Sequence, residues 1–177
     1  MKFNKTTKMI LSALFVALAY LFPFLTGQIA EIGAMLCPMH IPIFLCGFIC
    51  GWQWGGAVGI AAPLLRSLTL GMPSLFPTAV CMAFELAAYG AFSGIIYRVL
   101  PRKKLYIYCT LIISMILGRL VWGAATFACL GIKGTAFSFS AFWAGAVTNA
   151  IPGIILQIVL IPIIVILTEK IRVNGRK

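Results

Sequence analysis

Long apolar runs dominate the chain, broken at intervals by glycine, proline or clustered lysine and arginine. A membrane-crossing helix needs about 20 apolar residues. Met9 to Thr26 supplies the first, interrupted only by Pro23 near its far end. The next run extends from Gly33 to about Leu65. As a single helix it would measure about 50 Å, too long for a hydrocarbon core of about 30 Å. It therefore folds into two spans, over 33–51 and 55–70, with the break in Gly51-Trp52-Gln53-Trp54-Gly55-Gly56. Glycine permits the turn there, and paired tryptophans suit a membrane interface. A fourth span covers 76–97, with Pro77 in its first turn, where the missing N–H is harmless. A fifth covers 105–130, and a sixth covers 139–167, bent or tilted around Pro152 and Pro162. The pattern predicts an all-α integral membrane six-helix bundle, one transmembrane domain over residues 1–177.

The first span begins like a secretory signal, with basic residues, an apolar stretch and Ala17-Leu18-Ala19 resembling a cleavage site. Its apolar run continues to Leu25, longer than a signal needs, so it is expected to remain as the first helix. Gly47, Gly51, Gly55 and Gly59 recur every four residues, and Gly90 and Gly94 repeat that interval. Small residues so spaced let helix backbones approach closely, and bundle packing accounts for them fully.

Composition supports this. The chain is 62% hydrophobic and 10% charged, with a mean hydropathy of +1.08, whereas a soluble domain carries roughly a quarter charged residues. The net charge of +11 does not point to nucleic acid, because the basic residues border apolar runs instead of lining one face. They fall into three clusters: Lys2, Lys5 and Lys8; Arg98, Arg102, Lys103 and Lys104; and Lys170, Arg172, Arg176 and Lys177. With six spans and a cytoplasmic N-terminus, all three clusters lie on the cytoplasmic side, where basic residues concentrate. The opposite loops, about 27–36, 68–75 and 131–138, then hold one basic residue, Lys133. Both termini are thus expected to be cytoplasmic.

Arg66, Glu85 and Arg119 stand almost alone within apolar stretches. A charge at mid-bilayer costs roughly 2.5–3.5 kcal/mol on insertion scales, and such residues usually face a partner or a cavity. Helix rise puts Arg66 about 17 Å from the cytoplasmic start of its span, Arg119 about 21 Å from its own, and Glu85 about 14 Å from the external start. All three occupy the middle-to-outer part of the membrane. Tyr89 follows Glu85 by four residues and Trp122 follows Arg119 by three, with Thr126 a turn further; the sixth span brings Trp143 and Asn149 to comparable depth, and Gln157 deeper. Aromatic walls with a few converging polar groups describe a small-molecule site open to the outside. Either arginine pairing with Glu85 to hold the bundle is the plainer alternative. Two arginines against one glutamate leave a positive charge that a substrate carboxylate or phosphate would neutralise. Glu31 and His40 flank the external start of the second span, as gate or ligand contacts or as ordinary solvated loop residues.

Other chemistry is poorly supplied. There is no phosphate-binding GxxxxGK[ST] loop, no aspartate, a single histidine and no GxSxG, so neither ATP hydrolysis nor Ser-His catalysis is expected. The six cysteines form no CxxC pair and sit in or beside apolar runs, as small structural side chains do; no metal site and no cofactor are expected. Energy for uphill transport would come from partners.

Ala13 and Ala17 form an AxxxA pair in Leu11-Ser12-Ala13-Leu14-Phe15-Val16-Ala17-Leu18-Ala19, a smooth patch on which another helix can lie. With six spans, both ends inside and no ATPase, this resembles the substrate-binding S components of energy-coupling factor transporters, vitamin importers of the ABC type found in bacteria. MLCPMHIPIFLCGFIC (35–50) and APLLRSLTLGMPSLFPTAVCMAFELAAYG (62–90) look like one branch of that family, so the resemblance spans nearly the whole chain. It implies a multi-pass protein of the bacterial cell membrane that binds a vitamin tightly from outside. The protein would dock through its first helix, Ala13 and Ala17 included, onto a transmembrane T component carrying two ATPase subunits. It would then topple to release its load inside. In that family the external loops one, three and five gate the site. Arg66, Glu85, Tyr89, Arg119, Trp122 and Asn149 are the candidate substrate contacts. The spare positive charge favours pantothenate or nicotinate, with pyridoxine-like, pyrimidine and cobalamin-related ligands open. A self-sufficient secondary transporter or small channel is the rival function, and a purely structural membrane subunit the third.

Overall fold

In the computed structural model the described residues are 4–26, 35–101, 104–132, 138, 142–143 and 150–174. Among them there are six α-helices and no strand: α1 (Lys5–Leu21), α2 (His40–Cys50), α3 (Trp52–Leu70), α4 (Val80–Val99), α5 (Lys104–Ile132) and α6 (Ile151–Asn174). A short 3-10 turn, Phe22–Thr26, continues α1, and a π-turn, Leu75–Ala79, leads into α4.

The boundaries follow local chemistry. Residues 33–34 of the second expected span lie outside the described residues, and α2 itself starts only at His40. Met35 and Leu36 are helical, and Cys37, with a left-handed backbone (φ 46°) just before Pro38, separates them from α2. Gly51 alone makes the break between α2 and α3, with φ 100° and its N–H bonded back to Gly47 O. Only glycine adopts such a φ cheaply, so the turn is one residue, not six. The last helix runs past Leu167 to Asn174, and most of 139–149 lies outside the described residues.

Among the described residues four segments are long and apolar enough to cross a membrane: Lys5–Phe24, Leu75–Val99, Lys104–Ile132 and Ile151–Lys170. The apolar α2 is shorter, 11 residues. Unlike a soluble bundle, the structure carries large apolar side chains outside as well as inside. On α5 the outward stripe is Ile112, Ile116, Leu120 and Phe127, while Thr110, Ser114 and Gly118 are buried. An outer surface of large aliphatic side chains with hydroxyls inside fits a lipid surround.

Helix α4 is central, packed on α2, α3 and α5; α1 lies against α2 and α3, and α6 against α2 and α5. The glycine rows make this possible. A Cβ on Gly55 would come within 2.5 Å of Gly90 O, so α3 and α4 meet backbone to backbone. Phe44, Leu86, Tyr89, Leu111 and Ile161 fill the core around that seam.

Candidate functional site

Glu85 and Tyr89 lie one helical turn apart on the inner face of α4, so their side chains meet. The Tyr89 hydroxyl donates to Glu85 Oε1 at 2.8 Å. From α5, Arg119 Nη1 reaches the same oxygen at 2.8 Å. Gly118, next to Arg119, faces the Tyr89 ring and leaves no space for a side chain there. Glu85 and Tyr89 are each 2% exposed, while the Arg119 side chain keeps 17%. Glu85 is therefore the buried end of the cluster, and the Arg119 side chain is its more exposed edge.

The first residue of α2 completes the group. His40 Nδ1 sits 3.1 Å from Cys37 O, and Nε2 is 3.7 Å from Glu85 Oε1, beyond hydrogen-bonding distance. The imidazole packs 5.1 Å from the Tyr89 ring, which in turn lies 4.8 Å from Phe44. Arg119 Nη2 also points at Cys37 Sγ, 3.9 Å away. Three helices thus converge on one carboxylate oxygen, and the turn before α2 touches Arg119 and His40 beside it. Trp122 forms the wall beside them: the Arg119 guanidinium lies 6.0 Å from its ring, and Phe142 stacks on it at 6.1 Å.

Arg66 belongs to a different neighbourhood. Its Nη1 donates to Tyr20 O at 3.1 Å, and its guanidinium lies 5.3 Å from the Phe24 ring. The Tyr20 hydroxyl meets Thr69 Oγ1 at 3.1 Å, so α1 and α3 are tied twice. A guanidinium on a carbonyl in the last turn of α1 satisfies an otherwise orphan acceptor and complements the negative end of that helix. Of the two arginines that could pair with Glu85, the structure brings Arg119 to it.

Asn149 and Glu31 lie outside the described residues. Thr126, a turn beyond Trp122, has a buried hydroxyl with no partner among the described residues, and Gln157 is buried on α6. Trp143 is half-exposed. Ala13 and Ala17 are both exposed on α1, opposite the buried Ser12, Phe15 and Ala19.

His40, open from the sequence as a gate or ligand contact or as a solvated loop residue, is 4% exposed and inside the cluster. Glu169 was passed over among the terminal basic residues, yet it accepts a hydrogen bond from the Tyr97 hydroxyl, tying α6 to α4.

Neither a curated protein nor a solved structure matches the chain significantly. The profile of one family, described as "ECF transporter, substrate-specific component", matches residues 7–165, which include α2 to α5 in full and most of α1 and α6. An apolar helical bundle with one converging polar cluster is in keeping with that description. The chain belongs to the family of ECF transporter substrate-specific components, the subunits that bind the transported small molecule and work with a T component and ATPases.

Proposed function

We propose that this chain is the high-affinity binding subunit of an ECF-type importer for a small water-soluble vitamin or vitamin precursor. The observation that carries this reading is the Glu85-centred cluster: Tyr89, Arg119 and His40 gathered on one buried carboxylate inside an apolar bundle. Intramembrane charges so arranged usually mark a substrate path. In this reading Glu85, Tyr89, Arg119 and Trp122 line the site, with Asn149 of the expected sixth span added to them. The partly exposed guanidinium of Arg119 and the Trp122 ring are the surfaces a ligand meets first.

The charge of the site shapes the choice of ligand. Glu85 (−1) and Arg119 (+1) sum to zero, and the Arg66 guanidinium is engaged with α1. The spare positive charge that favoured pantothenate or nicotinate is therefore not at this cluster. Neutral or zwitterionic vitamins of the pyridoxine or pyrimidine type move ahead of free carboxylates. Arg66 takes the part of an anchor for α1.

The exposed face containing Ala13 and Ala17 is the proposed docking surface for the T component, which would carry two ATPase subunits. The clustered basic residues support an arrangement with both termini cytoplasmic in a bacterial cell membrane.

Reconstitution tests this against the self-sufficient transporter. Liposomes containing the chain with a T component and ATPases should accumulate labelled vitamin only when ATP is supplied. Uptake by the chain alone in ATPase-free liposomes would overturn the proposal.

A further inference from the structure

His40 is the only histidine in the chain and is 4% exposed. Its Nδ1 faces the Cys37 carbonyl at 3.1 Å. A carbonyl oxygen only accepts, so Nδ1 carries the hydrogen, and in the neutral ring Nε2 presents a lone pair. That nitrogen has no hydrogen-bond partner among the described residues. It faces Glu85 Oε1 across 3.7 Å, and that oxygen already receives Tyr89 and Arg119 at 2.8 Å each. In that tautomer two acceptors face each other across a gap too wide for a direct bond, in a place where an unpaired polar atom is costly.

We propose that His40 is the specificity-determining residue of the site, its Nε2 and the Glu85 carboxylate together accepting a hydroxyl or N–H donor of the ligand. This rests on the binding-subunit function proposed above and names the ligand's recognition group. A donor placed between the acceptors satisfies both. A ligand presenting only acceptors there would set a lone pair or a carboxylate against Glu85. The Cys37 carbonyl and the Tyr89 ring hold the imidazole in this orientation, so the selection is made by a preset geometry.

Because His40 is the sole histidine, 15N labelling of histidine gives one imidazole spin system in detergent micelles. The proposal requires a protonated Nδ1 and an unprotonated Nε2 in the unliganded protein. A protonated Nε2 would overturn the proposal, whatever the ligand.

Binding is then measured with pyridoxine, hydroxymethylpyrimidine, pantothenate and nicotinate as probes, for wild type, His40→Asn and His40→Gln. Asparagine can place an amide N–H where Nδ1 stood but has nothing at the Nε2 position; glutamine does the reverse. A donor-bearing probe should bind wild type, shift its Nε2 resonance, lose about tenfold or more in His40→Asn, and be largely retained by His40→Gln. Nicotinate, which has no donor at neutral pH, should bind worst. Loss confined to His40→Gln, or unchanged affinity in His40→Asn, would leave the histidine only its bond to Cys37 and end the proposal. If no probe binds wild type, the proposal falls together with the function it rests on. If a probe binds without moving the Nε2 resonance, the role of His40 falls alone.

Discussion

Replacing Arg119 by methionine should destabilise the bundle far more than its position near the outer edge of the cluster implies. At the observed 2.8 Å, Coulomb's law with an effective dielectric of about 20 gives about 6 kcal/mol of gross attraction to Glu85. Desolvation offsets part of this, yet removing one partner of a buried pair typically costs about 3–5 kcal/mol, because the other charge is stranded. Glu85 is 2% exposed, whereas Arg119 keeps 17% of its side chain exposed. Arg119→Met should therefore cost more than Glu85→Gln, which keeps an acceptor for Tyr89. The assay is a double-mutant cycle read by equilibrium unfolding in mixed micelles, followed by far-UV circular dichroism. Arg119→Met and Glu85→Gln should couple by at least about 2 kcal/mol, the double variant recovering much of the loss. Arg66→Met combined with Glu85→Gln should be additive within about 0.5 kcal/mol, since Arg66 contacts Tyr20 and Phe24 instead. Coupling between Arg66 and Glu85, with none between Arg119 and Glu85, would refute the reasoning.

Three further outcomes are expected. Gly90→Leu should prevent assembly of a folded monomer, because its backbone lies against Gly55 on α3; size-exclusion chromatography after detergent extraction reads this directly, and a normal elution profile would argue against the close seam. Ala13→Trp or Ala17→Trp should abolish co-purification with the T component while ligand affinity is unchanged, since both side chains point out of the bundle. Tyr97→Phe removes the hydrogen bond to Glu169 and should cost about 1–2 kcal/mol of stability with no change in ligand affinity; a change in affinity would show that this tie reaches the binding site.

The run lengths of apolar residues made the six helices legible, and glycine at intervals of four signalled close backbone packing without saying which helices meet. Their ends were less so. The start of α2 depends on the left-handed backbone at Cys37, a conformation that no periodicity reports, and the one-residue turn depends on which glycine of several takes the positive φ. The site was legible as far as single charges in apolar surroundings go: Glu85, Tyr89 and Arg119 do come together. Which arginine meets the glutamate was not legible, because helix rise gives depth and not the direction a side chain faces. Arg66 has comparable estimated depth on α3 but turns toward α1. His40 stayed open because a residue at a helix start reads as a loop until the fold closes over it.

Native mass spectrometry of the purified protein and of its Arg119→Met/Glu85→Gln variant tests the central claim most directly, because it asks whether the Glu85–Arg119 cluster holds a small molecule. The wild-type chain should carry one small water-soluble molecule per protein through purification, or take one up from a vitamin mixture. The double variant, monomeric and folded, should carry none. A wild-type chain that holds no such molecule, or a variant that holds it equally well, would contradict the account.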